Sequence, residues 1–310
     1  MIKNPITWPG NAKCAACLTF DMDADSLIHL AHPEDGHRRV SGLSMLQYGP
    51  TVAVPRIVET YRNLGIQQTF FIPAWCIERY PDAVDLISRY GHEIGHHGYL
   101  HENPVSQSRE EQAYWLGLGV EIIKKATGVA PRGWRAPLSN FSDHSLDLLL
   151  SHGFKYDTSL MGDDIPYLIE SRTTGQRLVE IPVHWGIDDW PQYVQSFDLD
   201  YMMPIRSPKS GFETFAQEFD VAYKYGGIWT PVLHPFVVGR LSRWEVFAQF
   251  LEGLIERGDV WFAPMERIAE YVETAHREQR YNARIDVIPQ YTEPIPRATF
   301  ASKNGQSSKH

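Results

Sequence analysis

Between residues 91 and 104 the chain reads GHEIGHHGYLHENP, which puts four histidines, His92, His96, His97 and His101, within ten positions. His97 and His101 are four apart, a spacing that brings two imidazoles to one side wherever the backbone between them turns helically, as at a strand-to-helix junction. Such a pair can grip a divalent metal, but the same spacing also arises on a solvated loop, so a carboxylate is needed to decide. The earlier stretch TFDMDAD offers Asp21, Asp23 and Asp25 at the end of an apolar run, where alternate residues of a strand share a face. Carboxylates crowded away from solvent are costly unless a cation or an arginine offsets them; otherwise they solvate a loop. Two imidazoles and one carboxylate leave a divalent ion an open position for water, whose pKa falls to about 7 on zinc, and a second carboxylate nearby is then the natural general base.

The elements that must position these side chains alternate. CAACLTFD (14–21) reads as a strand, VPRIVETYRNL (54–64) as a helix, QQTFFIPAW (67–75) as a β-rich apolar run and PDAVDLISRY (81–90) as a helix. The beat continues through HEIGHHG (92–98), a helix over 109–128, RGWRAP (132–137), a helix over 142–153, KYDTSL (155–160) and RLVEIPVHWG (177–186). A helix from Phe212, GIWTPVLHP (227–235), a helix over 242–258, DVWFAPM (259–265) and a closing helix complete it. Ser142 is read as a helix N-cap, and Gly128 and Gly153 as helix stops. Repeated βα units predict a mainly parallel sheet covered by helices, either barrel or doubly wound. Asp21, Asp23, His97, His101, Arg135 and His234 all fall at or just after the C-terminal ends of expected strands, where barrel enzymes gather their chemistry, and this favours the barrel.

Bulk properties narrow the function classes. A chain of 310 residues with 43% hydrophobic and 22% charged positions can bury the core of one barrel-sized globular domain, expected over residues 1–300, with a disordered tail at 301–310. The net charge of −9 argues against a main role in holding nucleic acid or an anionic membrane. The N-terminal MIKNPITWPGNAK carries no apolar targeting run, and nowhere do 18 apolar residues follow one another, so a cytoplasmic protein is expected. Cys14, Cys17 and Cys76 are too few for a disulfide framework; Cys14 and Cys17 point to opposite faces of a strand and read as buried structural thiols.

The ordered motifs resemble the polysaccharide deacetylase superfamily, the NodB homology domain of carbohydrate esterase family 4. TFDMD looks like its T-F-D-D motif, HGYLH like H-[ST]-x-x-H, RAP like R-x-P, YDTSL like D-x-S and VLHP like L-x-H, in the family's order across residues 19 to 235. The resemblance implies an α/β fold, a deformed (β/α) barrel of the NodB type with about seven parallel strands. It implies that Asp23, His97 and His101 bind one divalent metal, usually Zn²⁺, that Asp21 is the base and Arg135 its holder, and that His234 protonates the leaving nitrogen. Met22 between the two aspartates, Gly98 after the first ligand histidine, Pro235 after His234 and an insert at about 24–50 depart from the sugar deacetylases. They look like a cytosolic branch holding allantoinase-like enzymes, cyclic imide hydrolases and peptidoglycan-deacetylase-like proteins.

Two substrate classes follow. The insert and the aromatic stretch at 184–203 could wall the barrel mouth into a small pocket suited to a flat cyclic imide or ureide, with Trp185, Trp190, Trp75 and Trp134 available for stacking or for plain core packing. N-deacetylation of an N-acetylglucosamine unit is the alternative. A non-catalytic scaffold barrel would instead leave Asp21 and His234 dispensable. Arg240 or Arg243 could meet a substrate carbonyl or form surface ion pairs; His184 and Asp188 are candidates near the mouth, and His92 and His96 support the site or the fold. The partners expected are a small-molecule substrate and, from the apolar surface of the insert and the aromatic stretch, a second copy in a homo-oligomer.

Overall fold

The computed structural model describes residues 2–295, so the tail expected at 301–310 lies outside the described residues. The described residues form twelve strands: β1 (Cys14–Ala16), β2 (Thr19–Asp21), β3 (Thr69–Ile72), β4 (Glu93–His96), β5 (Gly133–Trp134), β6 (Tyr156–Asp157), β7 (Tyr167–Ser171), β8 (Arg177–Glu180), β9 (Ile228–Trp229), β10 (Val232–Leu233), β11 (Val260–Phe262) and β12 (Ile285–Ile288). In the large sheet, β10, β2, β3, β4, β5, β6 and β8 lie side by side and all run parallel. Past β8 the chain returns to β10 through a parallel bridge between Asp188 and Val232. These seven members match the NodB-type barrel expected from the motifs. A second sheet, β11-β1-β9, continues two of the same chain segments below: β1 and β2 are parted at Cys17–Leu18, and β9 and β10 at Thr230–Pro231. Pro231 has no amide hydrogen for the ladder, and the Leu18 amide donates instead to Gln68 Oε1 at 2.5 Å.

The helices follow the expected alternation: α1 (Ser26–Ala31), α2 (Val40–Tyr48), α3 (Val54–Leu64), α4 (Ala74–Arg79), α5 (Pro81–Arg89), α6 (Arg109–Thr127), α7 (Ser145–Ser151), α8 (Trp190–Tyr193), α9 (Pro208–Tyr225), α10 (Pro235–Val238), α11 (Leu241–Arg257) and α12 (Met265–Arg277). On α3 the buried positions Val54, Ile57, Val58 and Tyr61 make one stripe at helical spacing. Helix α6 opens with a capping box between Ser108 and Glu111 and stops at Gly128, whose φ of +83° only glycine adopts cheaply. Alternate residues of the first strand pair serve two cores: Cys14, Ala16, Leu18 and Phe20 enter one cluster, Ala15 and Cys17 the other. The cysteines are accordingly buried and free.

One expectation is corrected and two features are added. The helix expected from Ser142 begins at Ser145; Ser142 is turned toward α6, where its hydroxyl donates to Gln112 Oε1 at 2.9 Å. The stretch at 167–171 pairs antiparallel with β8, and β12 extends it, an edge unit absent from the sequence reading. The insert at about 24–50 is helical, made of α1, a 3₁₀ turn and α2, and Arg39 within it donates to Asp198 Oδ1 at 2.7 Å across the barrel mouth. No helix among the described residues is long and apolar enough to cross a membrane.

Candidate metal centre and active-site cavity

Strand β2 delivers Asp21, and one further ladder bond from the Met22 amide to Phe71 O at 2.9 Å carries the extended course to Asp23. Met22 sinks into the core while Asp21 and Asp23 share the opposite face. The chain then turns at Ala24, whose φ is +48°, and the Asp23 carbonyl accepts from Ser26 Oγ at 2.7 Å and Cys76 Sγ at 2.9 Å. Asp25 leaves the cluster: its carboxylate accepts from the Tyr80 hydroxyl and from Gln47 Nε2.

After β4 the chain presents His97 and His101 across a turn held by Glu102, whose carboxylate accepts the amides of Tyr99 and Leu100. Gly98 at φ +75° and His101 at φ +69° make that turn, the second a non-glycine residue in the left-handed region. His97 Nδ1 meets Arg135 O at 2.8 Å, so a proton on Nδ1 leaves the Nε2 lone pair aimed at Asp23 Oδ1, 3.4 Å away. His101 Nε2 lies 3.7 Å from Asp23 Oδ2. Asp23, His97 and His101 are buried and bring one ligand atom each within 4.8 Å of one another. Asp23 Oδ1 and His97 Nε2 have no hydrogen-bond partner among the described residues. Buried lone pairs converging without a donor fit a cation, and two imidazoles with one carboxylate suit a divalent transition ion. Burial opposes the Asp23 charge, but His101, His97 and His234 around it hold its pKa well below the usual carboxylate range.

A second cluster, Asp188, Asp189 and His234, is equally compact but differently committed. His234 Nδ1 meets Asp189 Oδ1 at 2.7 Å, and Asp189 Oδ2 accepts the amides of His234 and Val238 at 2.9 and 3.2 Å. Both Asp189 oxygens are thus engaged by N–H donors, three in all, unlike the unpartnered Asp23 Oδ1. The other imidazole nitrogen, His234 Nε2, comes within 3.6 Å of Asp23 Oδ2. Burial works against a charged His234, yet Asp189, Asp188 and Asp23 together raise its pKa to about 10.

Arg135 joins the clusters to the barrel wall. Its Nη1 donates to Asp21 Oδ1 at 2.6 Å and to Thr19 Oγ1 at 2.8 Å, its Nε to Thr158 O at 3.1 Å, and its guanidinium lies over the Phe71 ring. Thr158 is itself fixed by the buried YDTSL turn, in which Asp157 accepts from both the amide and the hydroxyl of Ser159. The Ser159 hydroxyl accepts the Ala136 amide at 2.8 Å, which ties RAP to YDTSL.

These groups open onto one cavity of about 630 Å³, lined by Asp21, Asp23, His97, His101 and His234 and otherwise mostly by apolar side chains. Leu27, Leu30 and Ala31 of α1 form one wall, and Trp185, Trp190, Leu199 and Tyr201 the facing one. The aromatic stretch and the insert therefore meet over the mouth. Of the residues expected near substrate, Trp185 lines the cavity, but Arg240 does not: it precedes α11 with its guanidinium 3.8 Å from the Tyr48 ring centroid. Trp75 packs against His29, Trp134 against Phe141, and Arg243 against Tyr193. His92 and His96 serve the fold: His92 sits between Tyr61 and Phe70, and His96 beneath Gly119, where a Cβ would come within 2.1 Å of its ring. His184 is half exposed, 3.7 Å from Glu218 and off the cavity lining. Sequence reading missed Asp189 as the partner of His234; the adjacent carboxylates of IDDW after β8 were the available signal.

Residues 43–156 match the model of the polysaccharide deacetylase family. The chain is 28% identical over 277 residues to the peptidoglycan deacetylase of Helicobacter pylori, covering 82% of this chain and 94% of that one. A crystal structure from Mycobacterium smegmatis, assigned as a polysaccharide deacetylase, is 34% identical, with a TM-score of 0.85 over 95% of this chain and 99% of that one. The crystal structure of PuuE allantoinase, 24% identical, has the same fold, with a TM-score of 0.75 over 91% of this chain and 96% of that one. Ordered motifs, barrel and full-length similarity agree: the chain belongs to the polysaccharide deacetylase family of NodB-type hydrolases.

Proposed function

We propose that the protein is a metal-dependent hydrolase of non-peptide C–N bonds that opens a small cyclic imide or related cyclic amide or ureide. The observation that carries the reading is the cavity itself: about 630 Å³, walled by α1 and the 185–201 stretch, and largely apolar around a small set of converging polar groups. A pocket of that kind suits a compact, flat ring better than a glycan chain running through an open groove.

Asp23, His97 and His101 would hold one divalent ion, with Zn²⁺ the best match to the donor set. When bound, that ion supplies Lewis acidity to the substrate carbonyl and to water. Asp21 acts as the general base: Arg135 and Thr19 fix one side of its surroundings, and its Oδ2, 3.7 Å from His97 Nε2, faces the reaction site. His234 acts as the general acid. Its pKa of about 10 keeps it protonated at neutral pH, Asp189 holds its ring from behind, and Nε2 remains free to give a proton to the ring nitrogen as its acyl C–N bond breaks. Trp185 and Trp190 offer ring faces for the flat substrate.

N-deacetylation of an N-acetylglucosamine saccharide is the second reading, favoured by the near full-length similarity to the Helicobacter pylori peptidoglycan deacetylase. The same carbonyl chemistry would serve both. Metal analysis with a pH-stat assay on succinimide, hydantoin and chitooligosaccharides, with and without chelator, separates them. Chelator-sensitive ring opening supports the first reading, and acetate release without ring opening replaces it with the second.

The mouth also carries exposed Phe197, Met202, Met203 and Ile205, which support the expectation of a homo-oligomer. Sedimentation at several protein concentrations tests it.

A further inference from the structure

Asp188 is the lining carboxylate that the chemistry above leaves unused. Its backbone is pinned by the bridge to Val232, and its Oδ1 accepts the Trp190 amide at 2.7 Å. The residue is only 7% exposed, yet among the described residues Oδ2 has no hydrogen-bond partner and the side chain faces the cavity. Oδ2 is thus open to a donor from whatever occupies the cavity, and burial of the residue lifts the Asp188 pKa to about 7. Among the uncharged polar side chains of the lining, Asn103 has its oxygen engaged: Oδ1 accepts the Val105 amide and Asn140 Nδ2, both at 3.1 Å.

Position narrows what could satisfy Oδ2. Asp188 Oδ1 lies 4.0 Å from His234 Nδ1, and His234 Nε2 lies 3.6 Å from Asp23 Oδ2, so one imidazole ring separates Asp188 from the metal-ligand triad. A group bonded to Asp188 would therefore sit within a few atoms of the attacked carbonyl, with Trp190 alongside. The geometry assigns Asp188 as the residue that reads the substrate's N–H: its free oxygen accepts the hydrogen of a ring nitrogen, so that N-unsubstituted cyclic imides and ureides are taken in preference to N-alkylated ones. This rests on the cyclic-substrate reading above and names the chemical feature selected within it.

The test separates binding from turnover. In the metal-loaded Asp21→Asn protein, calorimetry compares glutarimide with N-methylglutarimide, each with Asp188 present and in the added variants Asp188→Ala and Asp188→Asn. With Asp188 present the N–H ring should bind about 10-fold more tightly, the worth of one buried charge-assisted hydrogen bond. Asp188→Ala should bring the pair within about 2-fold, and the isosteric Asp188→Asn, which keeps the volume and a weaker acceptor, should fall between. Unchanged circular dichroism and metal content exclude misfolding. A preference that survives Asp188→Ala, equal binding of both rings with Asp188 present, or parallel loss for both rings in the variants, as expected if Asp188 acted only through His234, overturns the assignment. Absence of binding by either ring overturns it together with the cyclic-substrate reading. Selective binding combined with no ring opening by the unmodified enzyme sinks only that reading and leaves Asp188 as an N–H receptor.

Discussion

Two clusters of the same residue types lie side by side, His234 of one 3.6 Å from Asp23 of the other, and their hydrogen bonds separate them. Asp23, His97 and His101 converge with Asp23 Oδ1 and His97 Nε2 unpartnered, whereas Asp189 beside His234 has both carboxylate oxygens occupied by N–H donors. Proximity alone would make both metal sites. The difference teaches that a buried lone pair without a donor points to a cation, while a saturated carboxylate tunes the group it holds.

The largest expected effect breaks or keeps that contrast directly. His97→Ala or Asp23→Ala should lower the metal content from about one ion per chain to a small fraction, with activity falling about 1,000-fold or more, because a three-ligand site loses a third of its donors. Asp189→Ala should leave metal content intact. Metal loss in the Asp189 variant, or full retention in the His97 variant, measured by elemental analysis, would dissolve the distinction.

Next in size, Asp21→Asn should retain the metal and lose about 100- to 10,000-fold in kcat, the usual worth of a general base. Equal kcat in that variant would remove Asp21 from the chemistry.

A third experiment sharpens the tuning role. With His234 as the proposed general acid, kcat/KM should fall as pH rises through its folded pKa of about 10. Asp189→Asn removes the foremost influence that raises this pKa, so the alkaline limb should move toward lower pH. Stability follows the same sign: a folded pKa above the ordinary 6.5 contributes fully below pH 6.5 and is lost as pH rises toward 10. Thermal unfolding across that window should show a steeper loss in the unmodified protein than in Asp189→Asn.

The smallest effect belongs to a buried network that is saturated and remote from the mouth. Glu93 accepts from Tyr156, Thr69 and the Glu266 amide at 2.6, 2.7 and 3.0 Å. Tyr156→Phe should cost about 1–3 kcal/mol of unfolding free energy by stranding one Glu93 oxygen, with metal content and kcat unchanged. Loss of metal in this variant would blur the separation between structural and ligand-binding polar groups.

Sequence alone carried the βα alternation because long amphipathic stretches such as VPRIVETYRNL leave few options, and the helix over 54–64 has those limits in the structure. That Asp21, Asp23, His97, His101 and His234 would come together was legible because they follow strand ends, where a parallel fold gathers them. Strand β8 was legible within RLVEIPVHWG, but its edge partners β7 and β12 were not; β12 buries only Ile288 of its four residues, so it carries no strong apolar pattern. Nor could sequence tell Asp188 from Asp189: past β8 the chain enters turns and a short helix, so strand period no longer says which neighbour meets His234 and which meets the cavity. Arg240 failed for a related reason, because its direction is set by the start of α11 and the Tyr48 ring rather than by its nearness to His234 in sequence.

The left-handed backbone of His101 sets a price on the site that the unliganded fold must carry. A non-glycine residue at φ +69° gives up about 1–2 kcal/mol that glycine would not. His101→Gly should therefore unfold at a higher temperature than His101→Ala, although both lack the imidazole.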